Sequence, residues 1–122
     1  MSGARSRNKG AAAEREFLRL LGDELGEDLK RNIVQTREGG ADCLEVKGWA
    51  IEVKRQERLS RPTWWRQTVE QSQRVGAEPM LAYRRNREPW TVVVRGRGAE
   101  VFRYLTVTEA AGAIREKWAA WP

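Results

Sequence analysis

The chain has no histidine among its 122 residues and a single cysteine, Cys43. The first absence excludes Ser-His and Cys-His nucleophile pairs, as well as zinc sites built on imidazole. The second excludes an internal disulfide and a thiolate zinc site, leaving Cys43 as a small apolar residue in a strand. Long hydrophobic runs are missing too. No stretch approaches the roughly 20 apolar residues that cross a bilayer, and no secretory leader is recognisable, so the expected setting is cytoplasmic, with no membrane partner. Negative charge is the scarcer sign, 17 Asp and Glu against 23 Lys and Arg, a net charge of +6. Any catalysis in such a chain has to run on carboxylates, lysine and metal.

What is present favours a polyanionic partner. With 40% apolar and 33% charged residues, the composition is that of one folded domain with a heavily charged surface. An excess of Lys and Arg binds phosphates and releases their condensed counterions, so nucleic acid is the expected partner. The organising stretch is Ala41–Lys54, ADCLEVKGWAIEVK. Two β-like runs, Cys43–Val46 and Trp49–Lys54, flank Lys47-Gly48, a hairpin pattern. In the second run the period of two sets Glu52 and Lys54 on one face and Trp49, Ile51 and Val53 on the core face. Asp42 stands at the mouth of the first run. Two carboxylates and a carbonyl make a hard oxygen site suited to Mg²⁺ or Mn²⁺, with an ammonium beside it to hold a water. Glu45-Val46-Lys47 has the same form but follows Asp42 too closely for a turn, and is set aside. The competing account of both triplets is charge pairing on a solvated sheet face.

Along the chain, residues 1–10 form an expected flexible basic arm with Arg5, Arg7 and Lys9, and residues 11–122 one domain. Ala11–Leu25 is a predicted helix with Phe17, Leu18, Leu21 and Leu25 on its apolar stripe and Gly26 ending it. Glu14 lies on that stripe, while Glu16, Arg19 and Asp23 form the expected solvent face. A core-facing acid near a helix start points to a third acidic ligand or an orienter of one. Leu29–Thr36 is a predicted strand, followed by the loop Arg37-Glu38-Gly39-Gly40. Pro62, after Ser60 as N-cap, opens a helix to Val75 that stops at Gly76. Trp65, Val69 and Ser72 are its expected apolar stripe, and Gln67, Gln71 and Arg74 the stripe offered to the site or to DNA. Strands are expected at Pro79–Tyr83, Trp90–Arg95 and Glu100–Tyr104. Thr106-Val107-Thr108-Glu109 has the form of a capping box opening a last helix, with Ala111, Ile114, Trp118 and Trp121 on one stripe. Arg15, Arg37, Arg55, Arg58, Arg84, Arg85 and Arg87 are the further candidates for phosphate contact.

With Glu14 ahead of the first strand, Asp42 opening the hairpin and Glu52-Val53-Lys54 closing it, the chain resembles the PD-(D/E)XK nuclease superfamily. Within it, Lys9-Gly10-Ala11-Ala12-Ala13-Glu14-Arg15 is similar to the opening of archaeal-type Holliday junction resolvases and their viral relatives. The resemblance spans Asn8 to Tyr83. It implies an α/β, restriction-endonuclease-like αβββαβ core, a mixed central sheet flanked by helices, with C-terminal strands and a helix added. It also implies that Asp42, Glu52 and the Val53 carbonyl bind metal, that Glu14 completes the acidic site, and that Lys54 positions the attacking water. Ala41 stands where the family has proline, and Thr36 is the nearest residue to the family's loop serine. The function so implied is a Mg²⁺-dependent endonuclease that resolves four-way DNA junctions by paired symmetric nicks through metal-activated water. It would act as a homodimer, in the cytoplasm of a prokaryotic cell or a virus-infected host cell. The alternatives are another nuclease of the superfamily, acting on flaps, ends or duplex, or a catalytically silent DNA-binding module.

Overall fold

A computed structural model of the chain describes residues 2–30, 46–55, 60–85, 87–98 and 101–120. Helix α1 spans Ser2–Leu25, β1 Trp49–Arg55, α2 Arg61–Val75, β2 Glu78–Arg84, β3 Thr91–Arg95, β4 Phe102–Leu105 and α3 Val107–Ala119. The four strands form one mixed sheet in the order β1-β2-β3-β4. β1 and β2 run parallel, in the register Glu52↔Leu81 and Lys54↔Tyr83, with α2 as the connection between them. β2–β3 and β3–β4 are antiparallel. This is the α/β architecture anticipated from the sequence: a mixed sheet flanked by helices.

Helix α1 begins at Ser2, not at Ala11, which corrects the expected boundary: no proline interrupts residues 2–10, so the backbone continues helical through the basic stretch. Its apolar stripe is as expected, with Ala13, Phe17, Leu18 and Leu21 buried. The helix ends where Gly26 takes φ +72. There the Glu27 N–H donates to the Gly22 carbonyl at 3.0 Å, the 6→1 bond of a Schellman turn. A Cβ on Gly22 would lie 2.5 Å from the Glu27 carbonyl oxygen, so only glycine lets the chain fold back at this point.

The centre of the sheet face under α1 and α3 is apolar. Ile51 and Val53 of β1, Met80 and Ala82 of β2, and Val92 and Val94 of β3 pack there against Phe17, Leu21 and Ile114. The Phe17 and Trp90 rings meet at 5.2 Å. Thr106 caps α3 in a complete capping box with Glu109, and Arg115 of α3 donates to the Glu24 carbonyl of α1. Trp118 donates its indole N–H to the Lys47 carbonyl at 2.7 Å, tying the end of α3 to the turn before β1.

The opposite face lies under α2, which packs Trp64 against Leu81, Tyr83 and Val93. The buried positions of α2 are Trp64, Thr68, Gln71 and Ser72: Ser72 is inside as expected, while Trp64 and Thr68 take the places expected of Trp65 and Val69. Of two adjacent tryptophans only one can sit on the inner line, and Trp64 does so by meeting the Tyr83 ring at 5.9 Å. Thr68 and Ser72 bury their hydroxyls by donating to the carbonyls of Trp64 and Val69, both at 2.7 Å. Pro62 sits in the first turn, and Gly76 closes the helix at φ +67. Ser60 takes the N-cap position without a side-chain cap bond.

The strand expected over 29–36 and the first hairpin strand over 43–46 fall outside the described residues except at their edges. There Leu29, Lys30 and Val46 are not in a strand. Among the described residues no helix is long and apolar enough to cross a membrane.

Candidate active site

β1 presents the site. A positive φ of 86° at Gly48 turns the chain into the strand, and the Glu78 N–H, donating to the Gly48 carbonyl at 2.8 Å, aligns β1 with β2. Alternation then sets Ile51 and Val53 in the core and leaves Glu52 and Lys54 half-buried on the α2 face, beside the buried Ala50. The Lys54 Nζ stands 3.6 Å from Glu52 Oε1, with side chains 27% and 16% exposed. Side-by-side placement of this pair was legible from the period of the strand.

Two further groups reach Glu52. Gln71, 9% exposed on α2, brings its amide to the carboxyl and helps to favour its charged form. Its Nε2 closes no full hydrogen bond among the described residues. Glu14 of α1 lies near enough for its charge to oppose ionisation of Glu52. The balance at Glu52 is set first by burial, which lifts its pKa above the ordinary 4.5; the Lys54 charge pulls the other way, and Glu14 adds to the rise. Glu52 and Lys54 thus meet at one half-buried spot on β1, with the Glu14 carboxylate of α1 within electrostatic range of Glu52. Among the described residues no three His, Cys, Asp or Glu side chains form a metal-holding group; Asp42 lies outside those residues.

The other candidates are placed unevenly. Arg37 and Arg58 lie outside the described residues, and Arg5, Arg7 and Lys9 fall in the first turns of α1. Arg15, Arg85 and Arg87 are exposed, Arg87 with a positive φ of 64°. Gln67 is exposed, so the two amides of α2 separate, one to solvent and one to Glu52. Arg55 is half-buried at the end of β1.

Arg84 is engaged internally: its Nη1 donates to Glu16 Oε1 at 2.9 Å, and its guanidinium lies 5.9 Å from the Trp90 ring centre. Trp90 Nε1 donates to the same oxygen at 2.9 Å. Glu16 was expected on the solvent face with Arg19 and Asp23. Only those two remain there, as an exposed pair at 3.4 Å. The partners that draw Glu16 inward are 68 and 74 residues away, beyond the reach of helical periodicity.

A family model described as "Phage putative PDDEXK endonuclease" matches residues 5–111. Among solved structures, the chain is similar to Hjc, a Holliday junction resolvase from the archaeal hyperthermophile Archaeoglobus fulgidus. The two are 21% identical with a TM-score of 0.55, over 83% of this chain and 97% of that one. At that identity the likeness establishes the fold. No curated protein matched the chain.

Proposed function

The chain belongs to the phage PDDEXK endonuclease family, and from that premise we propose that it nicks four-way DNA junctions in symmetric pairs, as a homodimer, using Mg²⁺ or in its place Mn²⁺. The observation that carries this reading is the half-buried pair of Glu52 and Lys54, with Glu14 in electrostatic range, on a fold shared with a junction resolvase. PD-(D/E)XK nucleases are generally dependent on a divalent metal.

The residues present fit such an ion. They are hard oxygen donors, and burial together with the neighbouring Glu14 holds the Glu52 pKa up, the condition that a divalent cation relieves. Asp42, Glu52 and the Val53 carbonyl, with Glu14 beside them, would hold it. Bound there, it supplies positive charge to the phosphoryl oxygens as negative charge builds on them. Lys54 donates to the attacking water and keeps it in line. Gln71 steadies the Glu52 carboxylate from α2. The water oxygen forms its bond to phosphorus as the bond to the leaving sugar oxygen breaks, in one step with no covalent enzyme intermediate, the water's proton passing to solvent and the leaving oxygen taking one from solvent. Arg15, Arg85 and Arg87, with Arg5, Arg7, Lys9, Arg37, Arg55 and Arg58, follow the backbone without reading bases. Two nicks related by symmetry call for two sites about a two-fold axis, hence the homodimer.

The test is an end-labelled four-way junction and a linear duplex of matching arms, each with Mg²⁺ and with chelator. Symmetric metal-dependent nicks confined to the junction are expected. Equal cutting of the duplex would leave an endonuclease of another substrate class, and binding without any cutting would remove catalysis from the account.

A further inference from the structure

We propose that the aromatic groove between the start of α2 and strand β4 binds an unpaired nucleobase, a grip on splayed or single-stranded nucleotides separate from the phosphate contacts. This rests on the reading of the chain as a DNA endonuclease.

The groove has a volume of about 330 Å³ and is lined chiefly by Arg61, Pro62, Trp65, Leu81, Phe102 and Tyr104. That is the lower end of the roughly 300–1,000 Å³ typical of small-ligand sites. Its rings are mutually tilted. Trp65 and Phe102 lie 6.1 Å apart at 59°, and Phe102 and Tyr104 lie 5.4 Å apart at 82°. Phe102 is 38% exposed and Tyr104 49%, so both offer ring surface to solvent on a strand at the edge of the sheet. The Arg61 guanidinium stands 6.0 Å from the centre of the Tyr104 ring. Among the described residues no acidic side chain lines the groove, and none occupies the first turn of α2. Flat aromatic faces beside a cation are the chemistry that takes a base by stacking and its phosphate by charge.

Its position suits that use. The register pairs Glu52 with Leu81, Leu81 with Val93 and Val93 with Tyr104. Glu52 and Tyr104 therefore lie in one cross-strand row, on the same face. Three strand spacings put them on the order of 14 Å apart, about four base-pair steps along duplex DNA and fewer along an unstacked strand. A second copy of the chain could also cover an apolar strand edge, but it would bring its own net charge of +6 and its own Arg61 to the same place. Charge favours the polyanion.

The experiment measures fluorescence anisotropy of a labelled oligothymidylate in chelator, where nothing is cut, for the full chain and for Phe102→Ala, Tyr104→Ala and Tyr104→Phe. Circular dichroism checks the fold of each. Both alanine variants should bind about tenfold more weakly or worse with the salt dependence unchanged, and Tyr104→Phe should keep its affinity. Arg61→Ala should instead flatten the salt dependence by about one phosphate contact. Folded alanine variants that bind as tightly as the parent would overturn the proposal. So would sedimentation showing that Phe102→Ala splits a dimer with affinity per chain unaltered, since the groove would then belong to a second copy. A parent protein that grips the oligonucleotide through these rings yet cuts no DNA with Mg²⁺ would uphold the groove while removing the endonuclease reading.

Discussion

The two faces of the central sheet are made by the same alternating strands and are closed in opposite manners. Under α1 and α3 the central side chains are Ile51, Val53, Met80, Ala82, Val92 and Val94, met by Phe17, Leu18, Leu21 and Ile114, an apolar cluster with the Glu16–Arg84 pair at its margin. Under α2 the closure is a single helix that buries Thr68, Gln71 and Ser72 beside Trp64, and it leaves Glu52 and Lys54 at one side and Phe102 and Tyr104 at the other partly open. The first face removes apolar surface from water, the main driving force of folding. The second keeps polar groups in a low-dielectric margin, where they are costly to hold and strong in their interactions. Stability and chemistry are thus assigned to opposite sides of one sheet.

The largest effect expected is on the chemical side. Lys54→Ala, like Asp42→Asn, should lower junction cleavage by about a thousandfold or more while junction binding in a gel-shift assay stays near that of the parent. Retained cleavage would show that the polar face is only a charged surface. On the sealed face, Phe17→Ala should cost about 3–5 kcal/mol in urea unfolding, a large part of the roughly 5–15 kcal/mol that holds a domain together. A loss below about 1 kcal/mol would mean that this face is not the cooperative core.

A finer test uses pH. Because burial raises the Glu52 pKa in the folded chain above 4.5, the associated stability is full below about 4.5, where folded and unfolded chains both hold the proton. It is lost as pH rises through the folded-state value. Glu52→Gln, in chelator, should therefore melt a few degrees above the parent at pH 7, with the gap closing toward pH 4, and a gap that ignores pH would contradict the burial of this carboxyl. The smallest expected shift in stability is that of Gln71→Leu. Its Nε2 has no full hydrogen bond to lose, so unfolding should change by less than about 1 kcal/mol, while cleavage falls about tenfold through the loosened Glu52.

Much of this division was legible in the sequence where short-range rules govern. Period-two alternation placed Glu52 and Lys54 opposite Ile51 and Val53, and Gly26 and Gly76 marked helix ends that take positive φ. Thr106 and Glu109 announced their capping box. Long-range partners were not legible. Glu16 was misplaced because its bonds come from Arg84 and Trp90, and the buried line of α2 was set one residue off because the choice between Trp64 and Trp65 is made by Tyr83 on a strand not yet formed. The pairing of Phe102 with Trp65 escaped for the same reason. Asp42 and the first expected strand lie outside the described residues, so their part in the site stays with the proposal.

The bond from the Trp118 indole to the Lys47 carbonyl joins residues 71 apart, and this bears on the order of events during synthesis. At the roughly 5–20 residues per second of a translating ribosome, the tryptophan is made about 4–14 s after the carbonyl it will hold. Until then the turn that launches β1 lacks this tie, and a half-made chain carries Glu52 and Lys54 without the frame that sets them in place.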